Sequence, residues 1–590
     1  MLQRAERTDA LLFSLLRQWG EALLRLQINR PDAPALDGGI LCPACGRLHG
    51  RCHEAAYPLL YLARRTGDGR YLAGAKKLFR WGENMVCPDG SMKNDEDSDW
   101  RGVTVFAALS LHDALYYHGS LLTAAEKGAW ETRLKNMGTW LYENLRPGRL
   151  QAYLNYYAAN ACAMALLGNY FGERAYTALS RELAAFCLAH TTENGLICGE
   201  GHPLELSTPK GCRAIDAGGY NVEETLPCLT RCAEALGDEA LLDRCRALWR
   251  AHIQWMLPDG AWDDSAGTRA FKWTYWGSRT ADGCAAALFS LGKTEPLFAE
   301  AALRNTELLR RCTHGGLLTG GPDYDAHGEP ACVHHTFCHM KTLAGSLDGG
   351  LTDFARMPLP RQTAAARRYP ELDVIRISFG GWIADVSGCD CVNMPGAHAS
   401  GGALSLLWHE TYGPLIACGA ADYRLREPNN QQRPRDPESH RSPCPRWEAE
   451  ADGARYAQYY DLTAQTEAEA FADRVSVTSR FALCDEAGRK LPGSGGCEMQ
   501  YTFTPDTLMI FGKVPTGLKK ARFVLPLIGD SVRPELVRGA LCGAPRPFFN
   551  LSPGFQGTEY TVTPDADGTM EIELRIKKSE IKSRDQGFLN

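Results

Sequence analysis

The first part of the chain repeats one hydrophobic rhythm. Apolar residues recur at helical spacing through 57–81, pause at Thr66-Gly67-Asp68-Gly69, and resume. The same form returns at 158–188, broken by Gly168 and Gly172, at 224–256, broken by Gly237-Asp238, and at 282–312, broken by Gly292. Evenly spaced helix, glycine-containing turn and helix predict stacked helical hairpins that share a continuous core. Closing such a stack gives an α/α toroid. Leaving it open gives an α-solenoid, and the spacing fits both equally.

After Ser346-Leu347-Asp348-Gly349-Gly350 the period changes. Met570-Glu571-Ile572-Glu573-Leu574-Arg575-Ile576-Lys577 alternates without a break, as a half-buried strand does. Val475, Val477 and Phe481 alternate likewise, Tyr501-Thr502-Phe503-Thr504 opens another such run, and Pro505-Asp506 and Asp565-Ala566-Asp567-Gly568 supply turns. The expected fold is a multidomain α+β chain. An N-terminal α/α toroid, an incomplete barrel of helical hairpins, occupies 1–345, and a C-terminal antiparallel β-sandwich occupies 346–590. Segment 424–446, rich in Pro, Arg, Asn and Gln, reads as a loop of a length uncommon without a function.

Composition narrows the partners. A chain of 590 residues exceeds what one hydrophobic core supports, and 44% hydrophobic with 23% charged residues is ordinary for a soluble protein. The net charge of -6 argues against a nucleic-acid partner but permits an anionic sugar in a locally basic cleft. Residues 1–27 alternate Leu with Arg, Glu and Gln at helical spacing and read as a helix rather than a signal peptide. No segment approaches the roughly 18 apolar residues that span a membrane. With 22 cysteines and no export signal, the expectation is reduced thiols in a cytoplasm, unless a leader has been removed.

Several clusters could carry chemistry. Phe271-Lys272-Trp273-Thr274-Tyr275-Trp276-Gly277-Ser278-Arg279 interleaves aromatics with cations: rings stack on sugar faces, and Lys272 and Arg279 suit carboxylate or sulfate. Core packing accounts for Trp273 and Trp276 about as well. In Val333-His334-His335-Thr336-Phe337-Cys338-His339, His335 and His339 share a helix face, and His335 is the candidate for the cleft, with metal binding as the alternative. Cys42-Pro43-Ala44-Cys45, followed by His49, Cys52 and His53, has the inventory of a structural zinc site, taken as Cys42, Cys45, Cys52 and His53. Its alternative is a cysteine-rich loop whose His49 and Arg51 line the cleft. The paired acids Asp263-Asp264 and Glu223-Glu224 would suit a toroid glycoside hydrolase.

Three further motifs carry a family resemblance. Leu154-Asn155-Tyr156-Tyr157 opens one helix. Asp216-Ala217-Gly218-Gly219-Tyr220-Asn221 precedes another and is followed by Pro258-Asp259-Gly260 and Asp264-Ser265. Pro395-Gly396-Ala397-His398-Ala399-Ser400-Gly401-Gly402 runs through Leu406 as an alternating strand, with His398 at its lip. Together they resemble the heparinase II/III-like polysaccharide lyases, which cleave uronate polysaccharides by β-elimination. Asn221 stands where that family often has His. Ser400 stands where it often has Asp, which counts against the family's β-domain metal site here.

The resemblance implies an enzyme acting on an acidic oligosaccharide or polysaccharide, with no cofactor needed for the chemistry. Removing the proton on C5 of a uronate requires a group that stabilises the neighbouring carboxylate; Asn155 is the candidate, with Arg279 in support. Tyr220 is the candidate acid and, since cations can lower a phenol's pKa, also a candidate base. His398 and His335 are the other candidate bases. Tyr156, Asn221, Lys272, Trp273, Trp276 and Arg279 are the expected substrate contacts. A homodimer is one expected assembly. A hydrolase, an epimerase and a non-catalytic glycan binder are the competing readings.

Overall fold

The computed structural model describes residues 4–95, 98–201, 206, 208–422, 441–518 and 520–576. Among them, thirteen α-helices run from Arg4–Leu26 to Val333–Asp348, and the larger sheets begin with the strand Ala366–Tyr369. Of the sequence readings, residues 1–3 of the first helix, residues 424–440 of the long loop and Lys577 of the last strand run lie outside the described residues.

Six helices form an inner ring: Ala56–Thr66, Thr104–His118, Leu154–Phe171, Leu226–Leu236, Ala285–Gly292 and Val333–Asp348. Each packs on the next, and Val333–Asp348 packs back on Ala56–Thr66, so the described helices close a toroid rather than an open solenoid. Thr104–His118 and Leu154–Phe171 are buried along most of their length, the expectation for helices apolar on all sides. Outer helices carry a stripe instead: Gly69–Trp81 buries Tyr71, Gly74, Ala75, Leu78 and Trp81. The first helix, Arg4–Leu26, lies on the last, and Trp19 Nε1 donates to Thr313 Oγ1 at 3.0 Å. No described helix is long and apolar enough to cross a membrane.

The hairpin turns follow the residues that mark them. Gly67 and Gly237 end their helices with φ of 72° and 60°, a backbone only glycine adopts readily. Asp68 and Asp238 then cap the next helices, accepting from Arg70 N at 2.9 Å and Leu241 N at 3.0 Å. Gly168 does not break its helix: a Cβ there would lie 2.5 Å from Thr177 Oγ1, so it permits two helices to approach.

The second part is antiparallel throughout. Strands Ala366–Tyr369, Val374–Phe379, Trp382–Ser387, Ala403–His409 and Gly413–Ala417 form a meander. Two further sheets are built from 446–457, 465–513, 522–563 and 569–575. The meander is a middle layer. Ile383, Leu406, Trp408 and Ala417 belong to the toroid core, while Ile377, Trp382, Ala384, Leu404 and Leu407 belong to the second core. Ala403–His409 is therefore buried at every position, as a strand covered on both faces is. The stretch 395–406 is not one alternating strand with His398 at its lip; the strand begins at Ala403.

The two parts are joined by polar clamps. Arg376 Nη1 donates to Asp263 Oδ2 at 2.7 Å and to Asp385 Oδ2 at 3.0 Å. Arg279, buried, donates through Nη2 to Leu551 O at 2.6 Å, and Tyr324 Oη donates to the same carbonyl at 2.9 Å. Ser552 Oγ donates to Ala270 O at 2.8 Å. Arg279 thus acts on the seam between the parts. A charge-assisted hydrogen bond of this kind contributes about 1.5–3 kcal/mol. Arg279→Met should lower the thermal unfolding midpoint by several degrees while KM for the substrate stays within about twofold, because the side chain never reaches the cleft. A large rise in KM at an unchanged midpoint would contradict this placement.

Candidate active site

A cleft of about 790 Å³ opens at one end of the ring, lined by Arg51, Asn155, Tyr156, Tyr220, Glu224, Arg269, Lys272, Thr280 and His334 among others. Asn155 sits in the first turn of Leu154–Phe171. Its backbone N–H donates to Glu200 Oε1 at 2.7 Å, and its side-chain amide donates to Glu224 Oε2. Tyr156 follows, with its hydroxyl accepting from Trp100 Nε1 at 2.8 Å and its pKa pushed up to about 12 by burial.

Tyr220 is set by a tight turn. A Cβ on Gly218 would lie 2.2 Å from Asp263 O, and one on Gly219 would lie 2.3 Å from Asp216 Oδ2, so only glycine lets the chain wrap the Asp216 carboxylate. Tyr220 N donates to Asp216 Oδ2 at 2.7 Å, and Arg269 N donates to Asp216 Oδ1 at 2.8 Å. The Arg269 guanidinium then lies 3.8 Å from the Tyr220 ring centroid, with Lys272 Nζ at 5.6 Å, and the Tyr220 hydroxyl meets Thr280 Oγ1. A π-helical turn, Asn221–Thr225, follows, an insertion frequent at functional sites. It separates the paired acids. Glu223 turns away, accepting from Ser278 N at 2.7 Å and facing His339 Nε2 at 3.3 Å, while Glu224 reaches the cleft.

The site is cationic on its surface and acidic beneath it. Arg51 holds Glu54 at 2.6 Å and Asp282 at 2.9 Å, and Arg269 holds Glu200 at 3.2 Å. Burial pushes the Glu224 carboxyl up to about 8, reinforced by the charge of Asp282. Burial also pushes Glu200 up to about 7, against the pull of Arg269. His334 is held well below the usual histidine range by burial and then by Arg51, so it lines the cleft as neutral imidazole. Its Nε2 has no hydrogen-bond partner among the described residues.

Asn155, Tyr156, Tyr220 and Lys272 converge in the cleft; the other expected site residues lie outside its lining. His398 is buried in the loop before Ala403, with Nδ1 facing Ala399 O at 2.8 Å and Nε2 facing Cys391 O at 3.0 Å, so both ring nitrogens are occupied. His335 points into the core against Trp276, with ring centroids 5.8 Å apart. One residue along a helix is a turn of about 100°, so it is His334 rather than His335 that reaches the cleft. Asn221 donates to Ile197 O at 2.8 Å and contacts His252, beneath the site. Trp273 and Trp276 are fully buried, donating to Trp262 O at 2.7 Å and Thr319 O at 3.0 Å. Core packing, the alternative for those rings, is what they do. Arg279 belongs to the interdomain seam. Asp263 and Asp264, the hydrolase-like pair, are buried outside the cleft lining.

Arg269, Glu200, Thr280 and His334 were not singled out from sequence. Glu200 carried a faint signal, an acid between two glycines, and His334 lay inside the noted histidine cluster. Arg51 was foreseen only as part of the alternative to zinc.

The proposed zinc ligands are divided. Cys42, His49 and Cys332 have ligand atoms that all lie within 4.8 Å of one another, and Cys45 Sγ lies 3.2 Å from His49 Nε2. Cys52 and His53 do not join them. Cys52 is a core thiol pushed up to about 12 by burial. His53 faces Gly50 O at 2.8 Å with its pKa down to about 4, also through burial.

A closed helical ring against antiparallel sheets is the architecture of the toroid polysaccharide lyases. The chondroitin AC lyase of Streptomyces coelicolor A3 has the same fold, with a TM-score of 0.53 at 15% identity over 98% of this chain and 80% of that one. Heparinase III matches with a TM-score of 0.50 at 10% identity, over 89% and 76%. Residues 16–362 match the ulvan lyase N-terminal domain and 366–534 the ulvan lyase C-terminal domain, and the chain belongs to the ulvan lyase family. The broad-specificity ulvan lyase of Formosa agariphila is 36% identical over 532 residues, spanning 87% of this chain and 82% of that one. The chain is a polysaccharide lyase that cleaves uronic-acid glycans by β-elimination, as the heparinase-like resemblance implied.

Tyr220→Phe removes one oxygen from a ring that stays packed on Arg269. It should lower kcat by ~10²-fold or more with an unchanged unfolding midpoint; near-normal turnover would take Tyr220 out of the mechanism. Glu224 gives a second test. Its folded pKa of about 8 lies above its unfolded value, so folding costs progressively more as pH rises toward 8. The unfolding midpoint of the wild type relative to Glu224→Gln should therefore decline between pH 5 and pH 8. A difference independent of pH would show that Glu224 is ionised in the folded protein.

Proposed function

We propose that this cleft carries out the elimination on a sulfated uronate polysaccharide of the ulvan type, with Tyr220 as base and acid and Asn155 as the group that stabilises the uronate carboxylate. The observation that carries this reading is the convergence of Tyr220, Asn155, Arg269 and Lys272 on one cleft. In the proposed step the ionised Tyr220 oxygen takes the proton from C5. The C5–H electron pair becomes the C4=C5 double bond, the C4–O4 bond breaks, and O4 leaves with the proton returned by Tyr220. A guanidinium against the ring face favours negative charge on the phenol oxygen before that transfer. As C5 loses its proton, charge moves onto the uronate carboxylate, where an amide N–H and nearby cations stabilise it.

Glu224 gives Asn155 its orientation. A neutral Glu224 can donate its proton to the amide oxygen of a rotated Asn155, which turns the amide N–H groups toward the substrate. His398 has no part in this scheme, since it contributes nothing to the cleft lining. Arg149 at the exposed rim adds positive charge along the path of a polyanion. This arrangement supports an acidic polymer over a neutral one.

The test is a panel of ulvan, other uronate polysaccharides and neutral glycans, followed by the ultraviolet absorbance of the unsaturated uronate. Ulvan should be cleaved fastest, Asn155→Ala should lose ~10²-fold in kcat/KM, and neutral glycans should be untouched. Cleavage of a neutral glycan, or reducing ends without the chromophore, would overturn the reading. Retention of activity in Tyr220→Phe together with its loss in His334→Ala would move the base to His334.

A further inference from the structure

One cluster lies outside the reaction. The loop from Cys42 to Gly46 turns back on itself, with Gly46 N donating to Cys42 O at 2.9 Å and Gly46 at φ 67°. The turn sets the Cys42 and Cys45 thiols beside His49. The fourth member comes from far along the chain: Cys332, directly before the helix Val333–Asp348. Cys42 Sγ lies 3.6 Å from Cys332 Sγ, Cys332 Sγ lies 3.7 Å from His49 Nε2, and Cys45 Sγ lies 3.2 Å from the same nitrogen. Zinc–sulfur bonds of about 2.3 Å and a zinc–nitrogen bond of about 2.0 Å give a tetrahedron with edges of roughly 3.5–3.8 Å. The Cys42–Cys332 and Cys332–His49 separations fall close to those edges; Cys42, His49 and Cys332 lie within 4.8 Å of one another, and Cys45, at 3.2 Å from His49, completes the set by a small shift of its side chain toward the other two thiols. A disulfide between Cys42 and Cys332 would need the two sulfurs at about 2.0 Å.

We propose that Cys42, Cys45, His49 and Cys332 hold a structural zinc ion in a Cys₃His site that ties the 41–48 loop to the start of the helix Val333–Asp348. Four protein ligands leave no open position, which is the arrangement of a structural rather than a catalytic zinc. Three soft thiol ligands select zinc over the hard cations that prefer oxygen. The surroundings agree. His49 directs Nε2 at the thiols and has Nδ1 3.9 Å from Asp95 Oδ1, which also accepts from Gly50 N at 3.1 Å. A carboxylate behind the other ring nitrogen is the usual second layer of a zinc histidine.

The site has a consequence for the cleft. The His49 ring lies edge-on to His334, with centroids 5.2 Å apart, and Arg51 follows two residues later. Both His334 and Arg51 line the cleft. An ion at this point fixes two cleft walls that belong to opposite ends of the toroid sequence.

The full-length protein, expressed with zinc in the medium and purified without chelator, should contain about one zinc per chain by elemental analysis. Cys45→Ser and His49→Gln should lose that metal, while Cys52→Ser keeps it. Replacing zinc by cobalt in the wild type should give the intense visible bands of tetrahedral thiolate coordination, a readout that does not depend on any variant folding. A strong chelator should remove the ion and lower the unfolding midpoint. Free thiols with no bound metal and no cobalt bands would overturn the proposal. So would a Cys42–Cys332 disulfide by mass spectrometry, or full zinc retention in Cys45→Ser.

Discussion

The geometry of this cleft depends on one buried carboxylate that lies outside its lining. Asp216 accepts a backbone N–H from Tyr220 on one oxygen and from Arg269 on the other. Those donors belong to segments more than forty residues apart, and the shared acceptor brings a phenol and a guanidinium face to face. A buried carboxylate left without donors is costly, so the protein places N–H groups around it, and the active geometry follows from that demand. Asp264 adds to the constraint. Burial and the neighbouring Asp216 hold its carboxyl well above the usual carboxylate range. The two glycines before Tyr220 are the sequence's accommodation of this packing.

The sheets extend the same logic. A meander buried on both faces cannot act as a soluble domain's outer wall, and here it fills the space between two cores. Its polar inward residues are committed to the seam: Arg376 to Asp263, and Ser405 to Ser265 at 3.1 Å. The β-part therefore braces the loops that carry Arg269 and Lys272, although none of its described residues lines the cleft.

What could be read from sequence was what is local. Helical hairpins announce themselves through period and turn residues, and the strands of 475–481 and 569–575 through alternation. Asn155 and Tyr220 stood out through short motifs that resemble those of the heparinase-like lyases, and each sits at the start of a helix. The failures share one cause. Whether His334 or His335 meets the cleft depends on helix rotation fixed by distant packing. Whether Arg279 meets sugar or Leu551 depends on a turn 272 residues away. Cys52 and His53 were close to Cys42 in sequence, but space brought Cys332 instead, 290 residues on. Aromatic–cationic interleaving described the segment 271–279 correctly in chemistry and wrongly in direction: its rings face inward, and Lys272 lines the cleft.

Closure of the ring also has a meaning in time. The innermost helix near the N-terminus, Ala56–Thr66, finds one of its two ring neighbours in Val333–Asp348, and Arg4–Leu26 rests on that same last helix. On a ribosome these helices emerge with their faces toward Val333–Asp348 uncovered and stay so until the final helix of the ring has been made. Contacts between such distant segments carry a large loop-closure entropy, and they form late in folding. Until then the nascent toroid is an open arc with an exposed apolar edge, the kind of surface that chaperones bind. The chain's last helical segment is the one that turns this arc into an enzyme.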